Sequence, residues 1–383
     1  MAELTLRTID AIGKVDPAAW DACAGPENPF LLHGFLRAME ESGSASARSG
    51  WQPAHVLVEN RQRDLVAAAP LYVKGHSYGE YVFDWGWAEA WQNSGRPYYP
   101  KLQSAVPFTP ATGRRLLVRP GEDDLMLMGV LGDAIAGIGE RNKLSSAHIT
   151  FLTRDEAFLL EERGWMLRVG EQYHWHNQGY RTFDDFLSAL SSRKRKAIRK
   201  ERERAQALGA RIHCLSGDDL KPAHWDAFYR FYLDTVEKKW AQAYLTRGFF
   251  DRLTGPLAER VMLVMAEKDG DWVAGALNFV GSDTLFGRNW GAAGDFRFLH
   301  FEMCYYRAID FAIERGLAKV EAGAQGEHKI SRGYLPVPTY SVHWIREASF
   351  RSAVGNFLER ERVAVLRQIE MSAEEGPYRQ DEG

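Results

Sequence analysis

Between Gly323 and Gly333 the chain reads Gly-Ala-Gln-Gly-Glu-His-Lys-Ile-Ser-Arg-Gly. A carboxylate, an imidazole, an ammonium and a guanidinium fall within six residues, 327–332, framed by three glycines. Transfer of an acyl group to an amine needs this kind of set: the amine must lose a proton, the tetrahedral oxyanion must be stabilised, and the reactants must be aligned. Glu327, His328 and Lys329 are therefore candidate catalytic residues, with Gln325 and Arg332 as candidate substrate contacts. The glycines let the backbone approach a ligand closely. The plainer alternative is a surface loop of solvated charges.

Three other regions carry chemistry-bearing residues. Residues 299–315 have the spacing of a helix with Phe301, Tyr305, Ala308, Ile309 and Ala312 on one apolar face. His300 and Glu302 then sit in its first turn, where free N–H groups and the helix dipole favour anions. Glu302 joins the catalytic candidates and His300 the binding candidates, against the alternatives of a dipole carboxylate and a capping or core histidine. Just upstream, Arg288-Asn289-Trp290-Gly291-Ala292-Ala293 has a loose R-x-x-G-x-A pattern between a predicted strand and that helix, which marks Arg288, Trp290 and Gly291. Residues 193–204 hold eight Lys or Arg and two Glu in twelve positions. Arg193, Arg195, Arg199 and Lys200 would bind phosphate there, unless the run is a solvated helix face. Finally, residues 78–91 are rich in aromatics. As a strand they would place Tyr81, Phe83 and Trp85 on one side and Glu80, Val82 and Asp84 on the other. Asp84 and Lys101 are candidate polar contacts in a cleft, and a sheet face packed on a helix is the competing reading. His174 and His176 form an H-x-H with no third ligand placed by spacing, so no metal site is expected. There is no Gly-x-Ser-x-Gly and no phosphate-binding P-loop.

The elements that would position these residues form two similar series. In the first half, a helix is expected after Asn28-Pro29, strands at 54–59 and 65–73, an irregular segment at 95–120, a helix at 123–143, a strand at 146–152, a short helix at 155–164 and a strand at 165–174. The second half gives a helix from Thr182 through the basic run to Gly209, a strand at 211–215, helices at 222–239 and 249–257, and a hairpin of 261–268 with 272–280 around Asp269-Gly270. It ends with a strand at 284–291, the helix closed by Gly316, a strand at 320–323 and an amphipathic helix at 349–370. Both halves read as helix, strand meander, helix, strand, rather than as strict alternation of strand and helix. Tyr78-Gly79 with Trp85-Gly86 and Phe286-Gly287 with Trp290-Gly291 give a faint internal likeness.

At 383 residues the chain suits two domains. The formal net charge of −3 means that any basic site is local. Three widely spaced cysteines exclude a disulfide framework and a cysteine zinc site, and point to a reducing compartment. Residues 1–16 lack the apolar core of a signal peptide, and no stretch approaches the roughly 18 apolar residues of a membrane span. A cytoplasmic protein with no membrane span is expected.

Several long strings resemble one family. They are residues 29–39, 76–87 (HSYGEYVFDWGW), 98–102 (YYPKL), 107–110 (PFTP), 299–306 (LHFEMCYY) and 323–333 (GAQGEHKISRG). They resemble the FemAB-like proteins concerned with peptidoglycan biosynthesis or recognition, which are related to the FemABX aminoacyl transferases. The resemblance implies an α/β (α+β) fold of two tandem GNAT-like (N-acetyltransferase) modules with mixed central sheets, at 1–175 and 176–383. The second module would hold a basic helix at 182–209 and the C-terminal helix at 349–370. The resemblance also implies acyl or aminoacyl transfer to an amine, plausible on a peptidoglycan precursor, with no tightly bound cofactor. The donor would be aminoacyl-tRNA or acyl-CoA. A conventional acyl-CoA-dependent acetyltransferase, in which the 288–293 pattern holds the pyrophosphate of coenzyme A, and a non-catalytic precursor-binding protein are the alternatives. FemABX enzymes carry a Phe-Lys pair near the end of the second module, its lysine implicated in stabilising the acyl-transfer centre. His328-Lys329 is similar, with His in place of Phe.

Overall fold

The computed structural model describes residues 3–238, 242–323 and 326–379; Gln325 lies outside them, as does the side chain of Glu327. Two compact units are present. The first is Met1–Glu171 with Pro338–Gln368, and the second is Gln172–Val337 with Ile369–Gly383. A contiguous division at 175/176 therefore misplaces most of the C-terminal helix Ala348–Glu374. Its Val354 and Leu358 bury against Trp87, Trp91 and Tyr98, which binds that stretch to the first unit.

Fifteen strands are described: β1 Thr5–Ile9, β2 Trp51–Pro53, β3 His55–Glu59, β4 Leu65–Ala69, β5 Tyr72–Lys74, β6 Lys101–Ser104, β7 Leu117–Val118, β8 Ser146–Leu152, β9 Met166–His176, β10 Arg211–Leu215, β11 Val261–Lys268, β12 Asp271–Val280, β13 Thr284–Ala292, β14 Lys319–Glu321 and β15 Leu335–Ile345. In the first unit β1-β3-β4-β7 form an antiparallel sheet. A second sheet there runs β2-β5-β6-β8 and takes the end of β15, with β6 and β8 parallel. In the second unit the order is β10-β11-β12-β13-β14 followed by the end of β9, with β13 and β14 parallel. The architecture is mixed α/β, with a mixed sheet in each unit.

Strand alternation explains what each sheet of the first unit buries. Leu102, Ala147, Ile149 and Val342 face a core shared with Leu127, Leu131 and Ile135 of helix Asp124–Arg141. That helix begins where the Asp123 side chain accepts from the Met126 amide. The alternate residues Lys101, Gln103, Ser146, His148, Thr150, Ser341 and His343 are polar, yet they too are buried.

Some expected elements differ. Asn28 caps only the single turn Pro29–Leu31, because Leu32 is extended and the helix starts at His33. Residues 85–93 form a helix, not a strand, so the predicted alternation of 80–85 is absent. The long helix expected from Thr182 breaks at Leu190, which is extended and forms a bridge with Tyr378. Two helices result, Phe183–Ala189 and Ser192–Gln206. The first is entered through a Thr182/Asp185 capping box. Among the described residues no helix is long and apolar enough to cross a membrane.

Candidate active site

In the second unit, β13 and β14 pair only from Thr284–Lys319 to Phe286–Glu321, although β13 continues to Ala292. The pairing stops because β14 ends at Glu321. The chain after β14 carries the turn Glu327–Arg332, and Lys329 lies within it. Gly326 (φ 114°) and Gly333 (φ 93°) bracket the turn in conformations that other residues rarely adopt.

Lys329 is 2% exposed. Its Nζ donates to the Gly323 carbonyl at 2.9 Å and lies 6.0 Å from the centre of the Tyr173 ring. Among the described residues no carboxylate pairs with it. Burial pulls its pKa down to about 8, and the nearby Cys304 opposes that only in part. An ammonium in this state carries a charge that no described carboxylate balances, and its proton is more easily lost than that of an exposed lysine.

Around it stands a cluster of rings. The Tyr305 hydroxyl is 2.9 Å from His328 Nε2. His300 lies between Trp290 and Tyr305, with ring centres 5.2 and 5.4 Å away. His328 completes the group, 6.4 Å from His300. Burial, then the charges of Arg332 and Lys329, lower the pKa of His328, so its imidazole is biased to the neutral form. Tyr305 belongs to a π-helical turn, Glu302–Tyr306, between the α-helical segments Leu299–Phe301 and Arg307–Glu314. Such turns recur at functional sites because they shift side-chain register.

The structure thus brings together Trp290, His300, His328, Lys329 and Arg332 of the expected residues. It corrects others. Glu302 is fully buried, and its carboxylate accepts from Arg202 Nη2 at 3.0 Å and Nε at 3.1 Å, with Arg307 Nε also 3.0 Å away. It anchors the π turn to the basic helix, with both oxygens engaged by Arg202. The 288–293 pattern is not a strand-to-helix loop: it runs through β13 and just beyond, and the next helix starts only at Leu299. Arg288 is the extra residue of a bulge, since Leu277 pairs with Asn289 and Asn278 with Gly287. Gly291 is needed for packing, because a Cβ there would come within 2.2 Å of the Phe231 carbonyl oxygen.

The basic helix Ser192–Gln206 buries Ile198 and Ala205 and turns most of its charges outward. Arg193, Lys196 and Lys200 lie on one face, exposed and without ion pairs among the described residues. Arg195 is half-buried, and Arg199 is 3.0 Å from Asp184. Sequence reasoning passed over the other face, where Glu201 binds Arg332 and Arg202 binds Glu302 and Asp310.

Asp84 and Lys101 lie in the first unit and do not line an open cleft. Lys101 Nζ is completely buried and donates to Ser77 Oγ at 2.8 Å, Glu80 Oε2 at 2.8 Å and Asp84 Oδ2 at 2.5 Å. Burial opposes its charge, but Glu80 and Asp84 outweigh that and hold its pKa above the usual lysine value. The Tyr98 hydroxyl also donates to Asp84 Oδ2, at 2.7 Å. A further chain runs from Ser146 Oγ to His148 Nε2 (2.8 Å), from His148 Nδ1 to His343 Nδ1 (2.7 Å), and from His343 Nε2 to Ser341 Oγ (3.1 Å). Burial pushes His148 down to about 3, so this pair is neutral. The repeated Ser-x-His of β8 and β15 was the signal for it in the sequence.

His174 is 3.2 Å from Gln172 Oε1, and its ring centre is 6.3 Å from that of His176. Among the described residues no group of three His, Cys, Asp or Glu could hold a metal ion.

The sequence matches the profile of the FemAB-like family, described as peptidoglycan biosynthesis/recognition, over residues 11–380. The chain belongs to this family. No curated protein matches it in sequence. Among solved structures it is similar to FemX, at 12% identity and a TM-score of 0.57, over 92% of this chain and 100% of that one. It is also similar to the C-terminal domain of a putative lysylphosphatidylglycerol synthetase from Agrobacterium fabrum, at 10% identity and a TM-score of 0.55, over 88% and 95%. The L-PGS structure from Bacillus licheniformis gives 9% identity and a TM-score of 0.51, over 84% and 95%. At such identities the likeness is one of fold.

Proposed function

We propose that this FemAB-like protein transfers an acyl or aminoacyl group to an amine, with a peptidoglycan precursor or related peptide as acceptor. One observation carries the reading: the buried Lys329 ammonium, unbalanced by any described carboxylate, in the turn that follows β14. An oxyanion forming at the acyl carbon would supply the missing negative charge, so the ammonium favours the transition state over the ground state. His328, with Nε2 against Tyr305, keeps Nδ1 for the proton released as the acceptor nitrogen bonds to the acyl carbon. The donor's ester or thioester bond breaks, and its leaving oxygen or sulfur takes up a proton. The free face of Arg193, Lys196 and Lys200 suits phosphates of a tRNA or a diphosphate-linked precursor. An aminoacyl-tRNA donor is preferred to acyl-CoA, because the 288–293 pattern is used for β13 and its packing.

The test incubates the protein with charged tRNAs, and separately with acetyl-CoA, in the presence of a cell-envelope precursor extract. Donor loss is followed by mass spectrometry, with Lys329→Ala as control. Loss of an aminoacyl-tRNA that the variant abolishes is expected. Acetyl-CoA loss would replace the donor assignment, and precursor binding without loss of either donor would make the protein a binder.

A further inference from the structure

We propose that Glu201, on the basic helix, is a positioning residue that acts through Arg332 to hold the Lys329 turn closed over its buried ammonium. This rests on the reading of Lys329 as the reacting-centre cation.

The contacts form one continuous path. Glu201 Oε1 accepts from Arg332 Nη2 at 2.8 Å and Oε2 from Arg332 Nε at 3.2 Å, a two-pronged pair. The Tyr306 hydroxyl, from the π turn, donates to the same carboxylate. The remaining prong of Arg332, Nη1, donates to the His328 carbonyl at 2.6 Å, and the guanidinium lies 3.5 Å from the centre of the Phe301 ring. Arg332 thus joins three elements: the basic helix, the helix that carries the π turn, and the backbone next to Lys329.

Other contacts reach the turn at single points: His328 Nε2 lies 2.9 Å from the Tyr305 hydroxyl, and the Tyr378 hydroxyl donates to the Gly333 carbonyl at 2.8 Å. The turn's own backbone gives Lys329 N to Gly326 O (3.0 Å), Gly333 N to Ile330 O (3.0 Å) and Tyr334 N to Lys329 O (3.3 Å). Its ends are glycines, which add freedom instead of removing it. A short turn closed over an unbalanced ammonium tends to open, because opening returns the charge to water. The Glu201–Arg332 pair opposes that opening. It is only partly exposed, 20% on Glu201 and 8% on Arg332, so solvent screens it incompletely. It also balances Arg332, which would otherwise put a second bare cation beside Lys329 and His328.

The geometry of the fork matters as well as its charge. A lysine at 332 keeps the charge but cannot bridge Glu201 and the His328 carbonyl at once. Glu203 is an exposed carboxylate on the same helix and serves as the control position.

The test is competitive labelling of the folded protein with acetic anhydride from pH 6.5 to 10.5. Mass spectrometry of the digests gives the reactivity of Lys329 against pH without any transfer assay. Four proteins are compared: wild type, Glu201→Gln, Arg332→Lys and Glu203→Gln, each checked for folding by its thermal transition. The wild type should give a Lys329 midpoint near the value set by burial. In Glu201→Gln and Arg332→Lys the midpoint should rise by about one unit as the ammonium gains water, so that labelling at pH 7.5 falls roughly eightfold. Glu203→Gln should match the wild type. A low wild-type midpoint that stays put in both variants overturns the positioning role and leaves the reading of Lys329 intact. An ordinary lysine midpoint in the wild type removes that reading, and the proposal with it.

Discussion

Lys101 of the first unit and Lys329 of the second are both buried lysines, and they are in opposite electrostatic states. Lys101 donates to two carboxylates and a serine, and its charge is balanced by them. Lys329 donates to one carbonyl, and burial lowers its pKa to about 8. Burial alone therefore does not tell what a lysine is for. The partners do: a cation already matched has no free energy left for a substrate, and an unmatched one gains most when negative charge appears beside it. The two regions set a matched buried lysine against an unmatched one within a single chain.

The largest effect should come from unbalancing the matched site. Lys101→Met leaves Asp84 and Glu80 buried without their hydrogen-bonded cation, with only Lys74 Nζ 3.8 Å from Glu80, and should destabilise the protein by about 3 kcal/mol in denaturant unfolding. A near-neutral result would show that the two carboxylates share a proton or take up water, and the contrast between the lysines would collapse. The same change at the unmatched site should do the reverse to stability. Lys329→Met should leave unfolding unchanged or raise stability by about 1 kcal/mol, because it removes an unpaired buried charge. Transfer should fall about a hundredfold, the usual loss on deleting one oxyanion donor. If the Met variant unfolds more readily and keeps its activity, Lys329 is structural.

A smaller effect is expected at the exposed basic face. Replacing Arg193, Lys196 and Lys200 together by Gln should raise KM for a phosphate-bearing substrate by about tenfold and flatten its salt dependence, with kcat unchanged. A fall in kcat with KM unmoved would mean that the face acts on the reacting centre instead. The smallest effect is one of pH. The folded pKa of Lys329 lies below its unfolded value of about 10.5, so the unfolded state binds more protons between pH 8 and 10.5. The penalty of burying the ammonium is fully present below pH 8 and is relieved as pH rises through that window. Thermal transitions of wild type minus Lys329→Met, taken from pH 7 to 10, should converge as pH increases; parallel curves would count against the depressed pKa.

The sequence made much of this legible where chemistry is local. The 326–333 turn, the basic run and the helix after Leu299 are where their spacing puts them, because turn glycines and apolar periodicity act over a few residues. Contacts across long separations were not legible. Glu201 and Arg332 are 131 residues apart, and nothing in a run of charges says which one turns inward. Strand alternation does not by itself say whether the polar face is wet. Ser146, His148 and Thr150 alternate with Ala147, Ile149 and Phe151 as in a strand with one wet face, but both faces are buried. Segments rich in aromatics fooled the reading of 78–91, since Trp and Tyr serve a strand or a short helix equally well. The strand Leu335–Ile345 was missed altogether, since its Pro336 and Pro338 read as loop punctuation.

The most direct measurement is a titration of lysine side chains by nuclear magnetic resonance, with 13C at the ε position and assignments from Lys101→Arg and Lys329→Arg. Lys329 should titrate with a midpoint near 8, and Lys101 should stay protonated through the range in which surface lysines titrate. A Lys329 resonance that moves together with the surface lysines, above pH 10, would contradict the claim that its ammonium is held unbalanced for the transfer step.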